Sequence, residues 1–181
     1  GSGELVVFHD ETLDRVTGRT GPVGETPLSI LQSSTVGNSS ATIPTLGQFL
    51  EAVPTGTTVN VELKETGIAA AVWEQCRSTD ADFLFSSFLP DALVEMRTVA
   101  PRSSLAVVCA GRPNGCLSLA SELSAVAIHP MLELATRTRL VARAQAAGYD
   151  VNVWTIKTAS EAETAADLGV DGVITDRWDL F

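Results

Sequence analysis

A chain of 181 residues is long enough for one domain with a sizeable core, and its 45% apolar content argues against a disordered chain. Its 22 acidic residues outnumber 12 basic ones, for a net charge of −10, which argues against nucleic acid or an anionic lipid surface as a partner. No apolar run approaches the roughly 18 residues of a membrane span, so no transmembrane segment is expected.

The domain is expected to run from residue 4 to residue 181. Gly1-Ser2-Gly3 reads as a tag remnant or an arbitrary start, which leaves an upstream signal peptide open. Val6-Val7-Phe8 is an apolar run that ends in His9-Asp10 and then a polar loop. A strand that hands a histidine to a loop is how a residue is presented at the mouth of an α/β barrel. Histidine titrates near neutrality and suits general acid/base work. It can equally be a strand-end side chain satisfying hydrogen bonds. Asp14 and Arg15, just beyond, read as a local ion pair. Residues 11–57 are rich in Thr, Ser, Gly and Pro and read as a long surface excursion, with one helix at 46–53 after Ile43-Pro44-Thr45.

From residue 58 onward the pattern changes. Short β-branched runs at 58–63, 83–86, 104–108, 125–128, 151–155 and 172–175 read as strands. Helices are expected between them, at 67–78, 90–99, 115–122, 133–147 and 159–168. Thr158-Ala159-Ser160-Glu161 is a capping-box pattern that opens the last of these. Gly148 and Gly169 each close an alanine-rich helix, where glycine supplies the left-handed conformation that stops it. Continuous apolar strands alternating with helices mean parallel strands under a helical layer. No glycine-rich nucleotide fingerprint follows any strand, which favours a barrel over a doubly wound sheet.

Along the strand at 58–63, Val59, Val61 and Leu63 share one face, while Asn60, Glu62 and, just beyond, Lys64 share the other. In a barrel the polar face points inward and places Glu62 and Lys64 at the carboxyl-end mouth, where barrel enzymes keep their sites. A buried carboxylate needs a cation: Lys64, an arginine or a metal. A plain Glu62–Lys64 salt bridge is the competing reading. His129 in Ile128-His129-Pro130 also closes a strand, and the proline makes the step look like a turn. Trp154 is either core or the lining of a ligand pocket. Asp176-Arg177 reads as a turn with a local ion pair. The spacing of Cys76, Cys109 and Cys116 matches no zinc signature. They read as free thiols in a reducing, cytoplasmic setting, with a Cys109–Cys116 bridge across a loop as the alternative. Only Lys64 and Lys157 are lysines. That fits either a salt-adapted surface or an ordinary acidic protein from a GC-rich genome.

Taken in order, these segments resemble the glycerophosphodiester phosphodiesterase family over essentially the whole chain. Residues 8–18 are similar to its histidine loop and Ile43-Pro44-Thr45-Leu46 to its next helix start. Asn60-Val61-Glu62-Leu63-Lys64 is similar to its metal strand, Ser86-Ser87-Phe88 to a strand end, and 151–155 and 169–176 to its last two strands. The resemblance implies an α/β fold of the (β/α)8 TIM-barrel class, missing its first two barrel strands and first helix. It implies hydrolysis of a small glycerophosphodiester to glycerol 3-phosphate and an alcohol. His9 would be the general acid/base, Glu62 a ligand to Mg2+ or Ca2+, and Lys64 a phosphate-holding residue. Phe88 and Trp154 would wall the glycerol or alcohol moiety. The family's opening His-Arg pair and its Glu-x-Asp pair of metal ligands have no counterpart here. The resemblance therefore also implies a truncated domain whose open barrel edges invite self-association. Two alternatives share these residues. One is a noncatalytic binding or scaffold protein with a phosphate-binding remnant. The other is a lysophospholipase D-type phosphodiesterase, because loops build the pocket that selects the alcohol.

Overall fold

Strand pairing follows chain order. In the computed structural model, which describes residues 3–180, six parallel strands form one sheet: β1 (Thr58–Glu62), β2 (Asp82–Ser87), β3 (Ser104–Cys109), β4 (Ala127–Pro130), β5 (Asp150–Val153) and β6 (Gly172–Val173). Gly1 and Ser2 of the expected tag remnant, and Phe181 at the end of the expected domain, lie outside the described residues. A doubly wound sheet reverses its strand order at a switch point. This one does not, and it curls as a half-barrel, the TIM-barrel-like α/β class that the resemblance implied.

The described residues fall into two compact units. One contains the chain up to Thr57 together with Ala71–Ala81, and the other contains Thr58–Ala70 and the chain from Asp82 onward. In the first unit the expected strand at 6–8 is only an extended segment. Val6 makes an isolated antiparallel bridge to Thr45, Val7 N–H donates to the Pro44 carbonyl at 2.9 Å, and Leu46 N–H donates to Leu5 at 2.9 Å. Val6 and Phe8 are instead half-buried against a small core of Leu13, Leu31 and Ile43, with Val23 and Val36 beside them. Residues 11–57 therefore do more than run over a surface: Leu13 and Ile43 are at most 1% exposed. Leu31 ends the short helix α1 (Leu28–Leu31). The expected helix appears as α2 (Leu46–Ala52), opened by a capping box in which Thr45 Oγ1 accepts from Gln48 N–H and Gln48 Oε1 accepts from Thr45 N–H. Helix α3 (Ala69–Cys76) is divided between the units. Its buried Cys76 remains a free thiol, and burial pushes that thiol up to about 11, so it is an inert core residue.

In the second unit, register decides the two faces of the sheet. Phe85 pairs with Leu105, Val107 with Ile128, and Ile128 with Val151. These large side chains, at most 3% exposed, make the apolar face that a helical layer covers. Burial of each contributes on the order of 2 kcal/mol. The opposite face carries the row Glu62, Ser86, Ala106 and Ala127. Helix α4 (Pro90–Val99) packs on β2 and β3, and α5 (Pro113–Glu122) on β3 and β4. The single helix expected at 133–147 is two, α6 (Leu132–Arg137) and α7 (Leu140–Ala146). Thr138 breaks it: its hydroxyl donates to the Leu134 carbonyl and accepts from Leu140 N–H, so one side chain closes one helix and opens the next. Helix α8 (Ala159–Asp167) begins with the expected Thr158–Glu161 capping box. Gly148 and Gly169 adopt φ of +87° and +68°, as their helix-stopping role requires. Among the described residues no helix is long and apolar enough to cross a membrane.

Two further features tie this unit together. Cys109, at the end of β3, and Cys116, in α5, form a disulfide with a Cα–Cα distance of 6.2 Å. The free-thiol reading, on which the cytoplasmic expectation rested, thus holds for Cys76 alone. The β3–α5 turn folds these two buried residues back onto each other, a closure that spacing does not reveal. Arg97 in α4 donates to the carbonyls of Leu123, Pro101, Ser103 and Ser124, at 2.8 to 3.2 Å. Replacing Arg97 with methionine is expected to cost about 2 kcal/mol, read as a lowered urea midpoint. An unchanged midpoint would mean that those carbonyls find other donors.

Candidate active site

His9 lies in the loop that leaves the extended segment, with its side chain 77% exposed. Its Nδ1 is 2.7 Å from Asp10 Oδ1. Arg15 grips the same carboxylate through Nε to Oδ2 at 2.6 Å and Nη2 to Oδ1 at 2.8 Å. The Arg15 guanidinium, and after it the His9 ring, hold the Asp10 carboxyl well below the usual carboxylate range. A carboxylate on Nδ1 fixes the ring's orientation and leaves Nε2 as the end that can exchange a proton. The expected Asp14–Arg15 pair is not formed. Asp14 is lowered by the Thr12 hydroxyl and by Gly21 N–H, while Arg15 serves Asp10. Strand alternation, which points adjacent residues to opposite faces, does not lead to Asp10, and Arg15 is drawn in the sequence to its neighbour Asp14. Here the backbone has already left extended pairing, so neighbours can meet.

The remaining candidates are in the other unit. Glu62 ends β1, and alternation brings Lys64 onto its face, Nζ to Oε1 at 2.6 Å. The salt-bridge reading is thus the geometry observed, with both side chains about a third exposed. Ser86, in register with Glu62, is fully buried, its hydroxyl without a partner among the described residues. Two residues on, Phe88 packs edge-to-face on Trp154, ring centroids 5.3 Å apart, so the two expected wall residues do come together. His129 is not in a turn. The strand β4 runs through it to Pro130, with Met131 N–H bonded to the Cys109 carbonyl beyond. It is 2% exposed, and burial pushes its imidazole down to about 4, so the ring is neutral at pH 7. Arg177 pairs with Asp179 rather than with Asp176, both contacts at 2.7 Å.

Mg2+ and Ca2+ each call for about six oxygen ligands. Among the described residues no group of three or more His, Cys, Asp or Glu side chains stands ready to hold a metal ion. Glu62 offers one carboxylate, already engaged by Lys64. The described donor set therefore does not fit a complete hard-cation site, and the chemistry below is built on the chain's own side chains.

Six parallel strands wound in chain order and curled as a half-barrel, with an acid–lysine pair at one strand's carboxyl end, belong to the TIM-barrel-like α/β class. The model of the glycerophosphoryl diester phosphodiesterase family matches residues 2–180, and the chain belongs to that family. The glycerophosphodiester phosphodiesterase of Bacillus altitudinis is 29% identical over 190 residues, covering 96% of this chain and 78% of that one. An Oleispira antarctica phosphodiesterase, solved in complex with the product sn-glycerol-3-phosphate, matches with a TM-score of 0.86 and 29% identity, over 97% of this chain and 77% of that one. The glycerophosphodiester phosphodiesterase of Agrobacterium tumefaciens str. C58 matches with a TM-score of 0.80 and 26% identity, over 98% and 80%. The enzyme class is that of these relatives, phosphoric diester hydrolases.

Proposed function

We propose that this protein hydrolyses glycerophosphodiesters to glycerol 3-phosphate and an alcohol. The observation that carries this reading is its likeness to the Oleispira antarctica enzyme, which was solved with sn-glycerol-3-phosphate as product. The His9–Asp10 pair supports it from within the chain. His9 Nε2 passes a proton to or from the reacting oxygen: water's proton comes off as its oxygen bonds to phosphorus, and the departing alkoxide gains one. The Lys64 ammonium holds a nonbridging phosphate oxygen as charge builds there, and Glu62 fixes that ammonium in place. Phe88 and Trp154 form the apolar wall beside the glycerol or alcohol moiety.

The test is hydrolysis of glycerophosphocholine by the purified chain in Mg2+, in Ca2+ and in EDTA. Release of choline and glycerol 3-phosphate supports the reading. A folded protein that releases neither in any of the three overturns it. Dependence on Mg2+ or Ca2+ is read in the same assay: Glu62, released from Lys64, would supply one oxygen ligand to a site that the described residues do not complete. Glu62→Gln is then expected to raise the metal concentration for half-maximal activity at least about tenfold. A superimposable metal titration removes Glu62 from that role. Self-association is also expected, because β1 and β6 each pair on only one side within the sheet. A sedimentation coefficient that stays monomeric as concentration rises would overturn it.

A further inference from the structure

The inner face of the sheet carries a His129–Asn152 pair to which the proposed chemistry gives no role. His129 sits inside β4 with its ring buried, and its Nδ1 has no hydrogen-bonding partner among the described residues. Its Nε2 lies 3.1 Å from the amide nitrogen of Asn152, which can only donate there. The backbone carbonyl of the same residue accepts the Trp154 indole N–H at 2.7 Å. One residue of β4 thus engages two side chains of the neighbouring strand segment, Asn152 and Trp154. Those two share a face because they are two apart. Asn152 is itself seated: a Cβ on Gly172 of β6 would run into its Oδ1. Glycine at that position leaves room for the carboxamide.

An aliphatic side chain would fill this place without burying an unsatisfied ring nitrogen. The cost has to be offset by something the ring does. Regular β4–β5 pairing consists of Ala127 with Asp150 and Ile128 with Val151. In the next row, the His129–Asn152 side-chain bond ties the strands together across the face. Just beyond it stands Trp154, whose indole meets Phe88 edge-to-face. We propose that the His129 ring is a positioning group: its bond to Asn152 fixes the row of β4 and β5 from which the His129 backbone carbonyl holds the Trp154 indole in the orientation that walls the substrate's glycerol moiety. This rests on the reading of Phe88 and Trp154 as that wall. His129 acts through Trp154 and touches no reacting atom.

The test is a double-mutant cycle on the whole chain, with sn-glycerol 3-phosphate as the probe ligand in calorimetry. His129→Leu is expected to weaken binding about tenfold, and Trp154→Phe by a comparable factor. The double variant is expected to bind no more weakly than Trp154→Phe alone, because His129 has nothing left to position. Multiplying losses, or unchanged affinity in His129→Leu, would overturn the proposal. Asn152→Ala removes the same bond from the other strand and carries the same comparison if His129→Leu does not fold. Tryptophan emission gives a readout free of ligand. The component lost in Trp154→Phe should shift to longer wavelength in His129→Leu or Asn152→Ala, and an unshifted component overturns the positioning role. Wild-type protein that fails to bind the probe would count against the proposed function, and the emission comparison would then decide the positioning role alone.

Discussion

Replacing His9 with alanine is expected to lower turnover of glycerophosphocholine by roughly 100- to 10,000-fold, the usual contribution of a positioned acid/base group. The same variant should keep its circular dichroism and its unfolding midpoint. Both halves follow from where the residue lies. Its side chain is 77% exposed and fills no part of the Leu13–Leu31–Ile43 core, so its loss opens no cavity. Its Nδ1 contact with Asp10 orients the ring, and the ring in turn is what alanine deletes. Asp10→Asn should fall between wild type and His9→Ala, since the contact to Arg15 and to the ring loses its charge while Nε2 survives. A His9→Ala enzyme that turns over at the wild-type rate would place the acid/base group elsewhere and leave His9 as a surface residue.

How much of this could be read beforehand depends on what kind of signal each element leaves. Strands β1 to β3 are legible because β-branched and aromatic runs are bounded by turn residues, and their observed starts fall within one residue of expectation. The Thr158–Glu161 cap is legible because both partners lie within four residues of each other. Leu13, Leu31 and Ile43 share no period, so nothing in the sequence says that they form a core; only the folded chain brings them together. His129 is legible as a strand-end residue, but Pro130 suggests a turn there; the proline is instead the last residue of β4, where its missing N–H donor is dispensable. Among the candidate site residues, Glu62, Lys64 and Trp154 are legible as types on strands, whereas Phe88 is reached only through the family resemblance. Asp10 is not legible, because the strand rule that works for Glu62 and Lys64 points Asp10 away from His9.

His129 also predicts how stability responds to acid. Unfolded, its imidazole titrates near 6.5; buried in the fold, it is pushed down to about 4. Between those values the unfolded chain takes up a proton that the folded chain refuses, so lowering the pH favours unfolding. The contribution is fully present above 6.5 and is lost as pH falls toward about 4. That gap is worth roughly 3 kcal/mol. Carboxylates act in a different window. Asp10 and Asp179, lowered mainly by Arg15 and Arg177, and Glu74, lowered by Arg77, begin to lose their stabilisation as the pH falls through the ordinary carboxylate range of 3.8 to 4.5. Urea unfolding at pH 8, 7, 6 and 5.5 should therefore show wild-type stability sloping downward as the pH falls, in a range where the carboxylates are still largely ionised. His129→Gln keeps a side chain able to bond Asn152 but cannot titrate. Its curve should be flatter across that range, and the difference between the two proteins isolates the imidazole. Parallel curves would mean that the ring finds a partner for its second proton inside the fold, and that His129 is not the neutral, half-satisfied residue its surroundings describe.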